Sequence, residues 1–194
     1  DGRVPRVLEA RITARREDFV AIVRRQLAYP DLPLPLAHGA VMMKPVVEGR
    51  LLQALNLEAG EDVLEIGTGS GFVTACLAQL AREVVSIDVH GDFVETARQR
   101  LSSAGISNVR LETADALRWQ PGRQFDAIAV TGAVAAIPGT YGTEPLLRTG
   151  RYLLTRRIAE RLPQAWRKGP LRLFGAVDPR MDCDALRASG WSRR

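Results

Sequence analysis

The residues of this chain that could do chemistry begin with three glycines at alternate positions, Gly67, Gly69 and Gly71, shortly after an acid, Glu65. Glycines allow backbone angles that a side chain forbids, and they let a ligand approach the main chain closely. A second acid, Asp88, follows the last glycine at close to the separation that places a carboxylate on ribose hydroxyls. The combination predicts a site for a nucleotide-like ligand.

Apolar segments around these residues supply the elements that would position them. Strands are predicted at 63–66, 83–88, 109–113 and 125–130. One helix is predicted to begin at Phe72, and another is predicted to be capped by Asp92. Strands and helices that alternate in this way predict an α/β fold with a doubly wound, mainly parallel sheet and helices at the N-terminus. Asp88 and Asp115 follow successive strands, so we expect them at one edge of the sheet with Glu65.

The remaining segments predict one domain over residues 1–194, with a helical N-terminal region at 1–57 and a sheet core at 58–194. Residues 1–28 show helical spacing, and 29–35 hold three prolines and predict an extended loop. Pro45 suits the first turn of a helix. Beyond Pro138 the pattern predicts a helix over 144–166 and a strand over 171–177.

Composition narrows the classes of function. The hydrophobic fraction of 46% suffices for a packed core and argues against disorder. No apolar run approaches the roughly 20 residues of a membrane span, and we see no signal peptide. We therefore expect a cytoplasmic protein. We also expect a monomer. Cys76 and Cys183 lack metal-ligand spacing, and His38 and His90 do not build a metal site unaided, so we expect no metal.

Charge is distributed unevenly along the chain. Residues 1–140 carry 15 Lys or Arg and 17 Asp or Glu, whereas residues 141–194 carry 12 and 5. A basic C-terminal quarter could attract nucleic acid or an acidic protein. No aromatic interleaving or nucleic-acid motif accompanies it, so a solvated basic face is favoured over nucleic-acid binding.

The spacing of the glycines separates two kinds of nucleotide site. A dinucleotide site has the pattern G-x-G-x-x-G, and here Phe72 occupies the position of its third glycine. This disfavours a dehydrogenase. G-x-G-x-G after an acid is typical of methyltransferases that use S-adenosyl-L-methionine (SAM).

Several segments together resemble the protein-L-isoaspartate O-methyltransferase family, over about two thirds of the chain. They are residues 16–20, residues 34–39 with Pro45, residues 63–72 and residues 125–138. The resemblance implies a Rossmann-like SAM-dependent fold and methylation of the free carboxylate of isoaspartyl residues in proteins or peptides. It also implies SAM as cofactor and S-adenosyl-L-homocysteine as product.

The resemblance assigns roles to residues of the predicted site. Glu65, Gly67, Gly69 and Gly71 would surround the amino-acid end of the donor, Asp88 would hold the ribose, and Asp115 would hold the adenine amino group. Further expected cofactor contacts are Thr68, Ser70, Val89, Ala116 and Thr131.

One part of the resemblance departs from the family pattern. The family's substrate loop reads Gly-Gln-Thr-Ile-Ser-x-Pro, whereas residues 39–45 place Val41 and Met43 where hydroxyls are usual. Val41, Met43 and Lys44 are the candidate catalytic positions, and Lys44 could attract a substrate carboxylate or simply face solvent. Two alternatives stay open: a SAM methyltransferase for another peptide, small-molecule or RNA acceptor, and a SAM-binding protein without catalysis.

Overall fold

The computed structural model describes residues 3–116, 118–120, 122–132, 147–154 and 172–174, the last two segments by their backbone alone. The strands are β1 (Leu34–Pro35), β2 (Val41–Met42), β3 (Asp62–Ile66), β4 (Glu83–Asp88), β5 (Val109–Thr113), β6 (Phe125–Val130), β7 (Leu147–Leu154) and β8 (Arg172–Phe174). The helices are α1 (Arg3–Ala14), α2 (Pro45–Leu55), α3 (Phe72–Leu80) and α4 (Gly91–Ser103). Short 3₁₀ helices cover Arg16–Phe19, Ile22–Leu27 and Ala37–Gly39.

Six of the described strands form one parallel sheet in the order β5-β4-β3-β6-β7-β8. The chain runs outward from β3 to β5 and then crosses back to pair β6 with the other side of β3. Parallel sheets of this kind bind ligands at the carboxyl ends of the strands, where the strand order reverses. That reversal lies between β3 and β6, so the glycine loop after β3 occupies the expected position.

The centre of the sheet is covered on both faces. Every residue of β3 and of β6 is buried, which is typical of parallel strands with helices on both sides. On the N-terminal side, α1 packs against α3 and α2. The N-terminal helices therefore belong to the same hydrophobic core as the sheet.

Local sequence explains where the helices begin and end. Pro45 is the first residue of α2, where its missing N–H removes no helical hydrogen bond. Gly71 precedes α3 with φ +84°, and Gly105 follows α4 with φ +71°, a conformation that favours glycine. Asp92, predicted to cap α4, lies within its first turn instead, because the helix begins at Gly91 and His90 is the capping residue.

The predicted strands and the helix after the glycine loop are confirmed, but one prediction is wrong. Within the segment 144–166, predicted as a helix, Leu147–Leu154 is a strand that pairs with β6. Apolar spacing of three or four residues does not identify a helix by itself, and Gly150 weakens a helix in that segment. The strand gives β6 a second ladder partner, and β8 then continues the sheet within the predicted strand 171–177.

Other predictions for the C-terminal part lie outside the described residues. These are the segment just after Pro138, residues 155–171 and the basic tail beyond 174. Within the described part of the chain, every helix is too short or too polar to be a transmembrane span.

Candidate active site

Backbone contacts join the glycine loop after β3 to the end of β6. Thr131 and Gly132 both donate their amide hydrogens to the carbonyl oxygen of Ile66, at 2.9 and 2.8 Å. Gly67 has φ +107°, and a Cβ at this position would lie 2.2 Å from the amide nitrogen of Gly132. The lack of a side chain at 67 therefore lets the ends of two neighbouring strands meet where the strand order reverses.

Gly71 and Gly69 serve different purposes in this loop. Gly71 has φ +84°, and its Cβ would lie 2.9 Å from the Cβ of Ala97, so it allows α3 and α4 to pack closely. Gly69 has φ +50°, and among the described residues its Cβ would meet only Leu36, at 3.5 Å. Gly69 is therefore the glycine of the loop beside which space is open for a ligand.

Asp88 fixes the shape of this open part of the loop. Its Oδ2 accepts a hydrogen bond from the amide of Gly69 at 3.0 Å, and its Oδ1 accepts one from the amide of His90 at 3.0 Å. The side chain is largely buried, with 9% of its surface exposed. A carboxylate can accept about four hydrogen bonds, so capacity remains for two ligand hydroxyls.

Glu65 lies beneath the loop and is fully buried. Its Oε2 accepts hydrogen bonds from the hydroxyls of Thr74 at 2.5 Å and Ser86 at 2.7 Å. Its Oε1 is buried without a hydrogen-bond partner among the described residues. Burial raises the pKa of Glu65 to about 7, against the opposing effect of neighbouring hydroxyls, first those of Thr74 and Ser86 and then that of Thr131. Glu65 therefore links β3 to α3 and to β4 beneath the glycine loop.

The hydroxyls of Thr68 and Ser70 are also buried within the loop. The Thr68 hydroxyl lies 2.7 Å from that of Ser86, and the Ser70 hydroxyl accepts from the amide of Phe72 at 3.3 Å. Thr131 donates its hydroxyl to the carbonyl of Gly67 at 2.7 Å. These three side chains stabilise the loop, and their predicted contacts with the donor stay predictions.

The acids predicted for the neighbouring strand ends share one edge of the sheet. Strands β4 and β5 pair along their length, so Asp88 and the following Asp115 lie on the same side. Asp115 is exposed and lies 3.8 Å from the guanidinium of Arg118. Val89 is 62% exposed and Ala116 is half-buried, so both are open to a ligand at this edge.

The three candidate catalytic positions lie on the strand β2 and just after it. Val41 is 46% exposed, whereas Met43 is buried at 6%. The carbonyl oxygen of Met43 accepts a hydrogen bond from the buried guanidinium of Arg16 at 2.6 Å. Lys44 is half-buried and immediately precedes α2. The pairing of β2 with β1 and the contact with Arg16 fix this segment.

A cavity of about 370 Å³ lies between the N-terminal segment, the glycine loop and α4. Its walls include Phe19, Leu34 and Met42 on one side, and Gly69 and Ser70 on the other. The cavity therefore meets the glycine loop at its open glycine. Its lining also includes residues 34–37, which belong to the segment that resembles the family's substrate loop.

Two arginines give this cavity positive charge. Arg24 donates to the carbonyl of Pro35 at 3.1 Å, and Arg100 donates to the carbonyl of Ser70 at 3.0 Å. Neither guanidinium forms an ion pair with a carboxylate of the described residues. Partial burial lowers the pKa of Arg100, but an arginine stays protonated at neutral pH. The cavity therefore carries cationic groups that a bound anion could neutralise.

Sequence reasoning missed the buried ion pair of Arg16 with Glu48 and the two arginines of the cavity. Glu48 carried a signal, because an acid on the apolar face of a predicted helix requires a partner. Nothing in the sequence indicated that Arg24 and Arg100 line a cavity. Each lies close to another arginine that is exposed to solvent, so the pattern does not distinguish them from surface residues.

The parallel sheet, its order reversal and the glycine loop with Asp88 define a Rossmann-like α/β protein of the SAM-dependent methyltransferase type. The fold is similar to that of a Plasmodium falciparum protein described as a beta-aspartate methyltransferase (PCMT) in complex with S-adenosyl-L-homocysteine. The TM-score is 0.60 with 20% identity, over 69% of this chain and 68% of that chain. Another solved protein-L-isoaspartate O-methyltransferase matches with TM-score 0.57 and 25% identity, over 65% of this chain and 43% of that chain.

Sequence comparison gives the family. The family described as protein-L-isoaspartate(D-aspartate) O-methyltransferase (PCMT) matches residues 2–155, and the chain belongs to this family. A protein-L-isoaspartate O-methyltransferase 1 of Rhodopseudomonas palustris is 41% identical over 73% of this chain and 58% of its own length. A protein-L-isoaspartate O-methyltransferase of Myxococcus xanthus is 41% identical over 69% of this chain and 63% of its own length. The chain thus spans about three fifths of these relatives.

Proposed function

We propose that this protein transfers a methyl group from SAM to the free carboxylate of isoaspartyl residues in proteins or peptides. The observation that carries the proposal is the open glycine, Gly69, held by Asp88 beside a cavity with two arginines that form no ion pair within the described part of the chain. Membership in the family supports SAM as the donor and an isoaspartyl carboxylate as the acceptor.

The residues at the end of β3 and β4 fit the donor. Asp88 retains acceptor capacity for the two ribose hydroxyls, and the missing side chain at Gly69 leaves room for the donor beside the backbone. When bound, SAM supplies an electrophilic methyl group on a sulfonium. Glu65, Thr68 and Ser70 would keep the loop in shape below it, through the hydrogen bonds described above.

Methylation of a carboxylate requires little chemical assistance from side chains. A carboxyl group with a pKa of about 4 is already ionised at pH 7, so no general base is required. The task of the protein is to position the carboxylate in line with the methyl group in a site that excludes water. Arg24 and Arg100 would attract and orient it, and the apolar side chains of Val41 and Met43 are compatible with this task because no hydroxyl is needed for proton transfer.

Lys44 is the third candidate position and a second source of positive charge. It is half-buried at the start of α2, close in the chain to the buried Met43. We infer a supporting electrostatic role for Lys44 rather than a proton transfer. The cytoplasmic location and the monomeric state expected from the sequence stay predictions.

The experiment is transfer of labelled methyl groups from SAM to an isoaspartyl peptide, with the matching aspartyl peptide as control. Selective labelling of the isoaspartyl peptide is expected, and Asp88→Ala should abolish it. Labelling of both peptides alike, or of neither while SAM still binds, would contradict the proposed acceptor. The protein would then be a methyltransferase for another acceptor or a SAM-binding protein without catalysis.

A further inference from the structure

Both histidines of the chain meet at the rim of the cavity. The sequence contains only two, His38 and His90, and their rings stack in parallel with centroids 3.9 Å apart and 2° between the planes. Nε2 of His38 lies 3.0 and 2.9 Å from the two carboxylate oxygens of Asp92. The ring of Phe93 contacts both imidazoles edge-on, with centroids 5.3 and 5.5 Å away.

Two separate elements bring these side chains together. His38 lies in the 3₁₀ helix Ala37–Gly39, whereas His90 and Asp92 flank the first residue of α4. His38 has φ +54°, a left-handed conformation that is unfavourable for a residue other than glycine. The contacts with His90 and Asp92 hold the ring of His38 in spite of this cost.

We propose that His38, His90 and Asp92 form a binding site for a divalent transition metal ion, with Zn²⁺ as the best fit. One ligand atom from each side chain lies within 4.8 Å of the other two. Two imidazoles and one carboxylate are ligands that Zn²⁺ accepts, with a fourth position left for water. Mg²⁺ and Ca²⁺ prefer oxygen ligands, and two of these three ligands are nitrogen.

Metal binding requires a small rearrangement that the exposure of the site permits. Bonds of about 2.0–2.2 Å in a tetrahedral site place ligand atoms about 3.4 Å apart, so the cluster must contract. Nitrogens of parallel rings do not converge, so the ring of His90 must turn out of the stack toward the ion. The side chains of His38 and Asp92 are 40% and 57% exposed, and His90 is half-buried.

A bound ion would connect the two sides of the cavity mouth. Ala37, beside His38, and Asp92 with Phe93 all line the cavity. The ion would therefore tie the N-terminal segment to α4 at the entrance. This site does not depend on the proposed methyl transfer, because none of its three ligands is assigned to the donor or the acceptor.

The test uses the full chain without a histidine tag, with Cys183→Ser in every protein so that a second thiol does not bind the ion. Zn²⁺ is titrated by calorimetry into the parent and into His38→Ala, His90→Ala and Asp92→Asn. Loss of even an indirect partner of a metal ligand costs about 10–100-fold in affinity, so each variant should bind at least about tenfold more weakly. Glu95→Gln is the matched control, since Glu95 is an exposed carboxylate on the same helix.

A second measurement is independent of the variants. The chain has two histidines, so the imidazole Cε1–H region of a proton NMR spectrum holds two signals, and Zn²⁺ should shift both in one saturable transition. Ca²⁺ should shift neither. Zn²⁺ affinity unchanged in His38→Ala, or imidazole signals that do not respond to Zn²⁺, would overturn the proposal. Either result is separable from failure of the methyl-transfer assay.

Discussion

Arg16 and Glu48 form a buried ion pair with two parallel hydrogen bonds, Nε to Oε2 at 2.9 Å and Nη2 to Oε1 at 3.1 Å. Both side chains are only 1% exposed. The same guanidinium donates to the carbonyl oxygens of Ala28 and Met43. Desolvation raises the pKa of Glu48, and Arg16 opposes this shift. One arginine therefore joins α2, the N-terminal segment and residue Met43 just before α2.

Removal of one partner of this pair should be costly. Arg16→Met or Glu48→Leu leaves the other charge buried and unpaired, and such losses cost about 3–5 kcal/mol of unfolding free energy. The double variant Arg16→Met with Glu48→Leu should lose less than the sum of the single changes, since no charge stays buried. Urea unfolding of the four proteins measures this, and strictly additive effects would show that the two residues do not interact.

The glycines of the loop should respond differently to alanine. Gly67→Ala places a Cβ against the backbone of Gly132 and should destabilise the fold most. Among the described residues, the new Cβ of Gly69→Ala meets only the end of Leu36. This change should cost about 1–2 kcal/mol for its left-handed backbone and should weaken SAM binding. Gly105→Ala is the control, because it has φ +71° and open space around it, away from the site.

Thermal melting and calorimetric SAM titration separate these effects. Gly105→Ala should melt lower than the parent, much as Gly69→Ala does, but keep the parent's SAM affinity. If Gly69→Ala binds SAM as tightly as Gly105→Ala, the donor does not approach the backbone at Gly69.

Asp88 should affect both the stability of the glycine loop and the affinity for SAM. Asp88→Ala removes the acceptor for the amides of Gly69 and His90, so it should lower the melting temperature as well as SAM affinity. Asp88→Asn keeps one oxygen that can accept from one of these amides, so it should melt higher than Asp88→Ala. A lost hydrogen bond to a charged group costs about 1.5–3 kcal/mol, so SAM affinity should fall at least about tenfold in both. Parent-like SAM affinity in Asp88→Asn would remove the ribose assignment.

Glu65 should make stability depend on pH. Its pKa in the folded protein is about 7, above its ordinary value of 4.5, so the folded state binds more protons between these values. Stability is therefore full below about pH 4.5 and falls as pH rises toward 7. Glu65→Gln lacks this loss, and its stability relative to the parent should improve by about 2.5 kcal/mol between pH 5 and pH 8. Chemical unfolding at the two pH values tests this, and a difference independent of pH would show that Glu65 is ionised throughout.

Arg100 should affect the acceptor and not the donor. Arg100→Gln removes a charge from the cavity wall, and with an isoaspartyl peptide KM should rise about tenfold or more, which corresponds to one charged hydrogen bond. KM for SAM should change little. Arg98→Gln is the matched control, because Arg98 is exposed on the same helix and lies 3.4 Å from Glu95. Equal effects of the two changes on KM would indicate a general influence of charge and no contact with the acceptor.

The sequence by itself determined the elements that carry strong local signals. Apolar runs that end in glycines or acids located β3, β4, β5 and β6, and Pro45 located the start of α2. These signals are local because buried parallel strands need continuous apolar residues and turns need special backbone angles. The spacing of Gly67, Gly69 and Gly71, together with Asp88, also indicated the class of ligand.

Only the tertiary structure decided which distant side chains meet. The residues around Glu48 do not indicate that Arg16 is its partner, and the residues around His38 do not indicate a contact with Asp92. Contacts between distant elements depend on how helices and loops pack. The strand at Leu147–Leu154 was missed for the same reason: its leucines suit either a helix or a strand, and the free edge of β6 selected the strand. Local propensity is worth tenths of a kcal/mol per residue, which a complete ladder of hydrogen bonds in the sheet can outweigh.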